Sequence, residues 1–222
     1  MVVIPARAGS QRIVDKNNKK IGEKTLVEWA IECALTVFPK DRIVLVTDSE
    51  RSSASGRQYG INVLERPEEI SAPDSSTESL IEFVMERYEA QNYVLLQPTS
   101  PFRTKSDIQI CIEHFEKFDL DAVMGVTLPW HSPKDLYTVS QDFGKYFAPK
   151  KIFLEKQKDY YFDTGAIYVF KQKLIQNKLP IVSDDYTHAV EINQMAFFDI
   201  DYTFHLALAN TYFAMSGWEF DR

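Results

Sequence analysis

Cysteine is scarce: the 222 residues contain two, Cys33 and Cys111, each inside a helix-like stretch. Thiols so placed lack the density and spacing of a disulfide framework or a zinc site, and they read as buried free thiols. Long hydrophobic runs are missing too. No apolar stretch approaches the ~20 residues that span a bilayer, and the chain does not open on a signal-peptide-like segment, so a cytoplasmic protein without a membrane partner is expected. Positive charge is in deficit: 25 Lys and Arg against 32 Asp and Glu leave a net charge of −7. General nucleic-acid binders present a basic face, which argues against that class. The nucleotide-binding signatures G-x-x-x-x-G-K-[ST] and G-x-G-x-x-G are both absent. The four histidines, His114, His131, His188 and His205, show no ligand spacing, and no Ser-His-Asp arrangement can be read from their order.

What is present is an ordinary globular composition, 45% hydrophobic and 13% aromatic, in a chain long enough for one sizeable α/β domain. "VVI" at 2–4, "RIVLVT" at 42–47, "INVL" at 61–64, "NYVLLQ" at 92–97 and "DAVMGVT" at 121–127 read as strands. Between them, Leu26, Ala30, Cys33 and Val37, then a polar stretch from Glu50 to Tyr59, then Leu80, Val84 and Tyr88, then Ile108, Cys111, Ile112 and Phe115 follow helical spacing. "SSTESLIEF" begins with what resembles a capping box. This alternation predicts right-handed crossovers and a doubly wound, mostly parallel sheet. The rhythm breaks over 128–164, a stretch of Pro, Trp, Tyr and mixed charge with a hairpin-like "SQDFGKYF", read as an inserted arm or lid. "GAIYVF", "AVEIN" and "AFFDI" resume as strands, and "TFHLALANTYFAM" closes the chain as an amphipathic helix. With no internal repeat or linker, 1–222 reads as one domain carrying that insertion.

Against the acidic background, residues 4–20 hold Arg7, Arg12, Lys16, Lys19 and Lys20 with a single acid, Asp15. In open α/β sheets ligands bind beyond the carboxyl ends of the strands, and this loop follows the first strand. The small pair Ala8-Gly9 lets backbone approach a ligand, Ser10 adds a hydroxyl, and backbone amides with Arg and Lys together bind phosphate oxygens. A solvated charged loop is the plainer alternative. "QPTSPFR" brackets Thr99 and Ser100 with prolines at another strand end, reading either as polar groups aimed into a cleft or as a turn. "FFDID" places Asp199 and Asp201 two apart on an extended segment, so that both face one side. Such a pair holds Mg²⁺ that also bridges phosphates; alternatively Asp201 caps the last helix.

"IPARAGSQRIVDKN", "LLQPTSPFRT", "TGAIYVF" and "FDIDYTFHL", in that order across nearly the whole chain, resemble the acylneuraminate cytidylyltransferases, the CMP-sialic acid synthetases and their relatives acting on legionaminic and other nonulosonic acids. The resemblance implies a nucleotide-diphospho-sugar transferase-like fold and the conversion of CTP and a nine-carbon acidic sugar into CMP-sugar and pyrophosphate. It further implies that Ala6, Arg7, Ser10, Lys16 and Asn17 bind the nucleotide, with Arg66 and Thr77 near the cytosine. Gln97, Thr99, Ser100, Lys134 and Gly165 would meet the sugar, and Asp199 and Asp201 would hold Mg²⁺. Arg7, Lys16 and Asp201 would carry catalysis, and a homodimer joined through the 128–164 arm, with Trp130, Tyr137, Tyr146 and Phe147 at its interface, is implied as well. Four departures stand out: Gln11 ahead of Arg12, Val14 in place of a proline, Asp163-Thr164-Gly165 in place of Asn-Gly, and His205 in place of an acid. An acid near the sugar bears on which sugar is taken, and no general base stands out. Two rivals remain: an enzyme for another sugar, such as a CMP-Kdo or CMP-pseudaminic acid synthetase, and a catalytically silent nucleotide-sugar binding module.

Overall fold

Short apolar strands build the centre of the computed structural model, which describes residues 1–72, 75–129 and 160–218. β1 (Val2–Pro5), β4 (Ile43–Thr47), β5 (Asn62–Glu65) and β6 (Asn92–Leu96) lie parallel, in the order β5-β4-β1-β6. β8 (Phe162–Lys171) continues the sheet antiparallel to β6, with Leu96 opposite Ile167. β7 (Ala122–Thr127) pairs antiparallel with β8 and parallel with β9 (Thr187–Glu191), which completes seven strands. The expected mostly parallel α/β sheet is therefore present, with β8 as the strand that runs against the rest. A two-stranded ribbon, β2 (Lys20–Ile21) with β3 (Lys24–Thr25), stands apart.

The helices fall where helical spacing places them because their ends are capped. α1 (Leu26–Leu35) opens on a capping box: the Glu28 amide donates to the Thr25 hydroxyl at 3.2 Å and the Thr25 amide to the Glu28 carboxylate at 2.7 Å. α2 spans Glu50–Tyr59 behind Ser49. α4 (Lys105–Lys117) opens on a second box, Thr104 with Asp107. α3 (Thr77–Met85) differs from expectation, since Ser76 caps it through the Ser79 amide and a serine, not an acid, occupies the box position. Glu78 instead accepts from the Ile181 amide at 3.0 Å. α5 is the short Gln172–Gln176 helix.

Two apolar layers cover the sheet. One joins Val2, Ile4, Leu45 and Leu96 to Ala30, Ile31 and Cys33 of α1 and Ile108 and Cys111 of α4. The other joins Val3, Val44 and Leu95 to Leu80 and Val84 of α3 and Leu174 of α5. Each fully buried Val, Ile or Leu contributes about 1.5–3 kcal/mol relative to exposure, so most of the fold's stability sits in these layers. Cys33 and Cys111 are free and buried as expected. Desolvation pushes their thiols up to about 11 and about 12. A disulfide reagent at pH 8 should accordingly read no thiol in the folded protein and both after denaturation, because the thiolate is the reactive form.

Three local readings are corrected. "AFFDI" is not a strand: Asn193 accepts from the Met195 and Ala196 amides and winds Gln194–Phe197 into a 3-10 helix. β8 already begins at Phe162, so 162–164 belong to the sheet and not to the inserted arm. The closing helix α6 (Thr203–Ser216) buries only Ala209 fully and leaves Phe204 and Met215 at 66% and 83% exposure, which makes it less amphipathic than its spacing suggests. Residues 130–159 of the arm, with Trp130, Lys134, Tyr137, Tyr146 and Phe147, lie outside the described residues. Among the described residues no helix is long and apolar enough to cross a membrane.

Candidate active site

The carboxyl ends of β1, β4, β5 and β6 share one edge of the sheet, and β8, running the other way, brings its first residues to that edge. A cavity of about 330 Å³ opens there, within the ~300–1,000 Å³ usual for small-molecule sites. Of the residues singled out in the sequence, Arg7, Ser10, Lys16, Asn17, Arg66, Thr77, Gln97, Thr99, Asp199 and Asp201 line it. Segments from both ends of the chain and its middle thus meet at one place.

The basic loop is held by its own hydrogen bonds. The Ala8 amide donates to Asp48 at 2.6 Å, and the Asn17 side-chain amide donates to the Arg7 carbonyl at 3.0 Å. Asp15 takes a left-handed turn, φ 53°, and its carboxylate accepts from the Asn18 side-chain amide at 2.6 Å. These ties hold the loop although Val14, 79% exposed, touches little. Ala6 is buried under the loop, its carbonyl bonded to the Thr47 hydroxyl, and so supports the cavity without lining it. Arg7 and Arg66 both reach the 66–72 segment: Arg7 donates to the Ala72 carbonyl at 3.1 Å, and Arg66 donates through Nε to the Ile70 carbonyl at 2.9 Å. Burial pushes the Arg66 guanidinium below its ordinary value. The amino end of α3, with Ser76 and Thr77, opens on the same cavity; helix amino termini favour anions.

Facing the loop, the 3-10 helix ends and the chain runs extended through Asp199, Ile200 and Asp201. Ile200 is buried and its amide donates to the Thr99 carbonyl at 2.8 Å, so the two flanking carboxylates both point to the cavity. Asp201 does not cap α6: Tyr202 is the cap residue and makes no side-chain bond there. Instead Lys16 Nζ donates to Asp201 Oδ1 at 3.0 Å and Arg12 Nη1 to Oδ2 at 2.7 Å. Burial alone lifts the Asp201 carboxyl, but Lys16 and then Arg12 hold it below its ordinary value. Asp199 behaves oppositely. Burial, and secondarily the charge of Asp201, raise it despite a hydrogen bond from the Thr99 hydroxyl. His205 takes a supporting place, with Nδ1 2.8 Å from the Asp199 carbonyl and 3.2 Å from the Asp201 amide.

Such a pair fits Mg²⁺ in its chemistry. Both donors are hard carboxylate oxygens, and among the described residues no group of three or more His, Cys, Asp and Glu could hold an ion. Mg²⁺ is commonly held by one or two carboxylates, with phosphate and water completing its shell. A cation would also offset the burial that chiefly raises Asp199 and the weaker repulsion from Asp201.

Two sugar-side expectations fare differently. Gly165 sits beside Gln97, since a Cβ built on it would lie 3.8 Å from Gln97 Oε1, and its φ of +66° suits glycine. Ser100 points away from the cavity: it is fully buried and its hydroxyl donates to the Thr164 carbonyl at 3.3 Å. The role expected of Ser100 is therefore structural, because a serine between prolines can turn its hydroxyl inward as readily as outward. Lys134 lies outside the described residues. Two residues were not singled out for the site. In the sequence Arg12 stands out only as part of the basic run. Arg103, 1% exposed, donates through Nη1 to the Gln97 carbonyl at 3.2 Å and the Ala166 carbonyl at 2.6 Å, joining β6 to β8 behind the cavity. Its place as the last residue of "QPTSPFR" was the available signal.

Comparison with known proteins agrees with this geometry. The N-acylneuraminate cytidylyltransferase of Escherichia coli O18:K1:H7 is 33% identical over 129 residues, 57% of this chain and 31% of that protein. The CMP-N,N'-diacetyllegionaminic acid synthase of Legionella pneumophila is 35% identical over 119 residues, 51% of each chain. The aligned part of this chain thus spans about a third to a half of those relatives. A CMP:2-keto-3-deoxy-manno-octonic acid synthetase solved with CTP shares the fold at TM-score 0.74 and 19% identity, covering 97% of this chain and 98% of that one. The family model described as Cytidylyltransferase matches residues 1–204, from the first strand through the carboxylate pair, and the chain belongs to that family.

Proposed function

We propose that the chain activates a nonulosonic, sialic-acid-like sugar: CTP and the sugar acid give CMP-sugar and pyrophosphate. The single observation behind this reading is that the amino-terminal cations and the Asp199/Asp201 pair line one cavity. An anionic nucleotide needs the former, and the cation that accompanies a triphosphate needs the latter. In this reading Arg7, Ser10, Lys16 and Asn17 receive the nucleotide's phosphates and ribose, Arg66 and Thr77 frame the cytosine, and Gln97 and Thr99 meet the sugar. Lys134 and the homodimer implied by the family resemblance belong to the same reading, as does a cytoplasmic setting where CTP is available.

The sugar's anomeric hydroxyl attacks the α-phosphorus in line, its O–P bond forms as the bond to pyrophosphate breaks, and the hydroxyl proton passes to solvent. Negative charge grows on the nonbridging oxygens and the leaving group. Arg7, held by the Ala72 carbonyl, and Lys16, held by Asp201, stabilise that charge electrostatically. Mg²⁺ held by Asp199 and Asp201 would supply Lewis-acid stabilisation of the same oxygens. A silent binding module has less in its favour, because nucleotide binding alone does not require a carboxylate pair beside the cations.

The test is pyrophosphate release from CTP and Mg²⁺ across nine-carbon sugar acids and Kdo. Release with a sugar acid supports the reading, whereas tight CTP binding with no release from any of them favours the silent module. Gly9 gives a second check. It is exposed, and a Cβ built on it meets no atom within 4 Å. Gly9→Ala should keep the melting temperature of the parent yet weaken CTP binding about tenfold, because only a ligand lying against the loop backbone would feel the methyl. Unchanged affinity would place the phosphates elsewhere.

A further inference from the structure

The second residue of β8 is an acid that is exposed yet held in one position. Asp163 has the Tyr168 hydroxyl at 3.0 and 2.9 Å from its two oxygens and the Gly165 amide at 3.0 Å from Oδ1. The turn that bends it back is itself tied down: the Thr164 hydroxyl donates to the Gly125 carbonyl at 2.7 Å and accepts the Ala166 amide at 3.1 Å. A surface aspartate ordinarily keeps its rotamer freedom, and confining it costs entropy. Here a buried tyrosine, 8% exposed, spends its hydroxyl on that confinement.

The carboxylate is not saturated. A phenol has one proton, so its two contacts are one shared donor, and with the Gly165 amide that makes two donor hydrogens against about four acceptor positions. The strand register brings Asp163 to the edge of the sheet on which the cavity opens. β8 is antiparallel to β6, with Leu96 opposite Ile167, so the residues preceding Ile167 extend past the strand end that carries Gln97. Burial first, then the charge of Asp163 and more weakly that of Asp199, push the Tyr168 phenol up, which places both acids within electrostatic reach of one hydroxyl.

We propose that Asp163 is a specificity-determining residue of the sugar subsite: it accepts a hydrogen bond from a hydroxyl or amide N–H of the acidic sugar. Its charge also turns the sugar's own carboxylate away from this edge. Tyr168 is its positioning residue. This rests on the activity proposed above and names the substrate feature that the site selects: a neutral donor at the end of the sugar away from its carboxylate.

Asp163→Ala, Asp163→Asn and Tyr168→Phe test it, with CTP and sugar varied separately in the pyrophosphate assay. The panel is a set of nine-carbon sugar acids differing in N-acyl and hydroxyl substituents. Asp163→Ala should raise the sugar KM about 10–100-fold for acids bearing the donor, with CTP KM within about twofold of the parent. The penalty should shrink for the panel member that lacks that donor. Asp163→Asn, which keeps an acceptor oxygen, should recover part of the loss, and Tyr168→Phe should give a smaller rise in the same direction. Unchanged sugar KM across the panel in Asp163→Ala, or a CTP KM that rises in step, overturns the inference while leaving the activity in place. No release by the parent protein from any sugar overturns the activity itself and the inference with it.

Discussion

Asp201→Asn should cut pyrophosphate release by about 10²–10³-fold, the usual loss when one preorganised electrostatic partner is removed. The substitution keeps the side chain's size and removes its charge, so the protein should still fold. The pairs with Lys16 and Arg12 are partly exposed, at 16% and 53% for the cations, and exposed pairs contribute little. Their loss should lower the melting temperature by no more than about 2–4 °C. A second reading separates a metal-binding role from a purely structural one. Asp201 holds both cations, so its neutralisation frees them. CTP should then bind without Mg²⁺ as tightly as in the parent or more so, while the Mg²⁺ concentration needed for half-maximal rate rises. Parent-like turnover in Asp201→Asn removes the metal assignment, and weaker metal-free binding removes the account of the ion pairs.

The largest stability effect belongs to Asp107, a residue outside the cavity. It is 4% exposed and accepts the Thr104 amide at 2.7 Å, the Thr104 hydroxyl at 2.7 Å, the Asn193 amide at 2.8 Å and the Asn193 side-chain amide. Arg103, fully buried nearby, has it among its few compensating charges. Asp107→Ala strands four donors and leaves the guanidinium less compensated; a buried donor left unpaired costs about 1–3 kcal/mol, so a total loss of about 3–5 kcal/mol is expected. For a domain of this size that is a fall of about 6–20 °C in melting temperature. Asp107→Asn keeps one acceptor oxygen and should fall between. Urea titrations of the two variants check the order, and a loss below about 1 kcal/mol in Asp107→Ala would mean that the capping contacts are replaced by water. Because Asn193 starts the segment that ends in Asp199 and Asp201, the alanine variant should also lose activity at temperatures where it remains folded.

Much of this was legible from residue order alone, for reasons that differ element by element. Residues 43–46 and 93–96 are apolar strand runs buried on both faces, and α1 carries its own start signal in Thr25 and Glu28. Such local signals survive in any tertiary context. The direction of β8 was not legible, because an apolar strand after a long insertion pairs either way. "AFFDI" satisfied strand and short-helix readings equally, and only the Asn193 side chain, reaching the amides two and three residues on, decides between them. At the site, charge type and position past a strand end marked Arg7, Lys16, Asp199 and Asp201. The partnership of Arg12 with Asp201 spans 189 positions and has no local signature. The inward turn of Ser100 depends on the Thr164 carbonyl, 64 positions away, and was equally hidden.

The reversed strand has a consequence for how such a protein can diversify. With β8 running against its neighbours, the residues that reach the ligand edge are its first few, directly after the insertion, while the interior of the strand lies further along. Changes confined to 160–165 can therefore retune recognition without disturbing Ile167, Val169 or Phe170 in the interior, and without touching the amino-terminal loop at all. On the proposed reading, grafting that six-residue stretch between two members of the family should move sugar preference and leave the nucleotide requirement where it was.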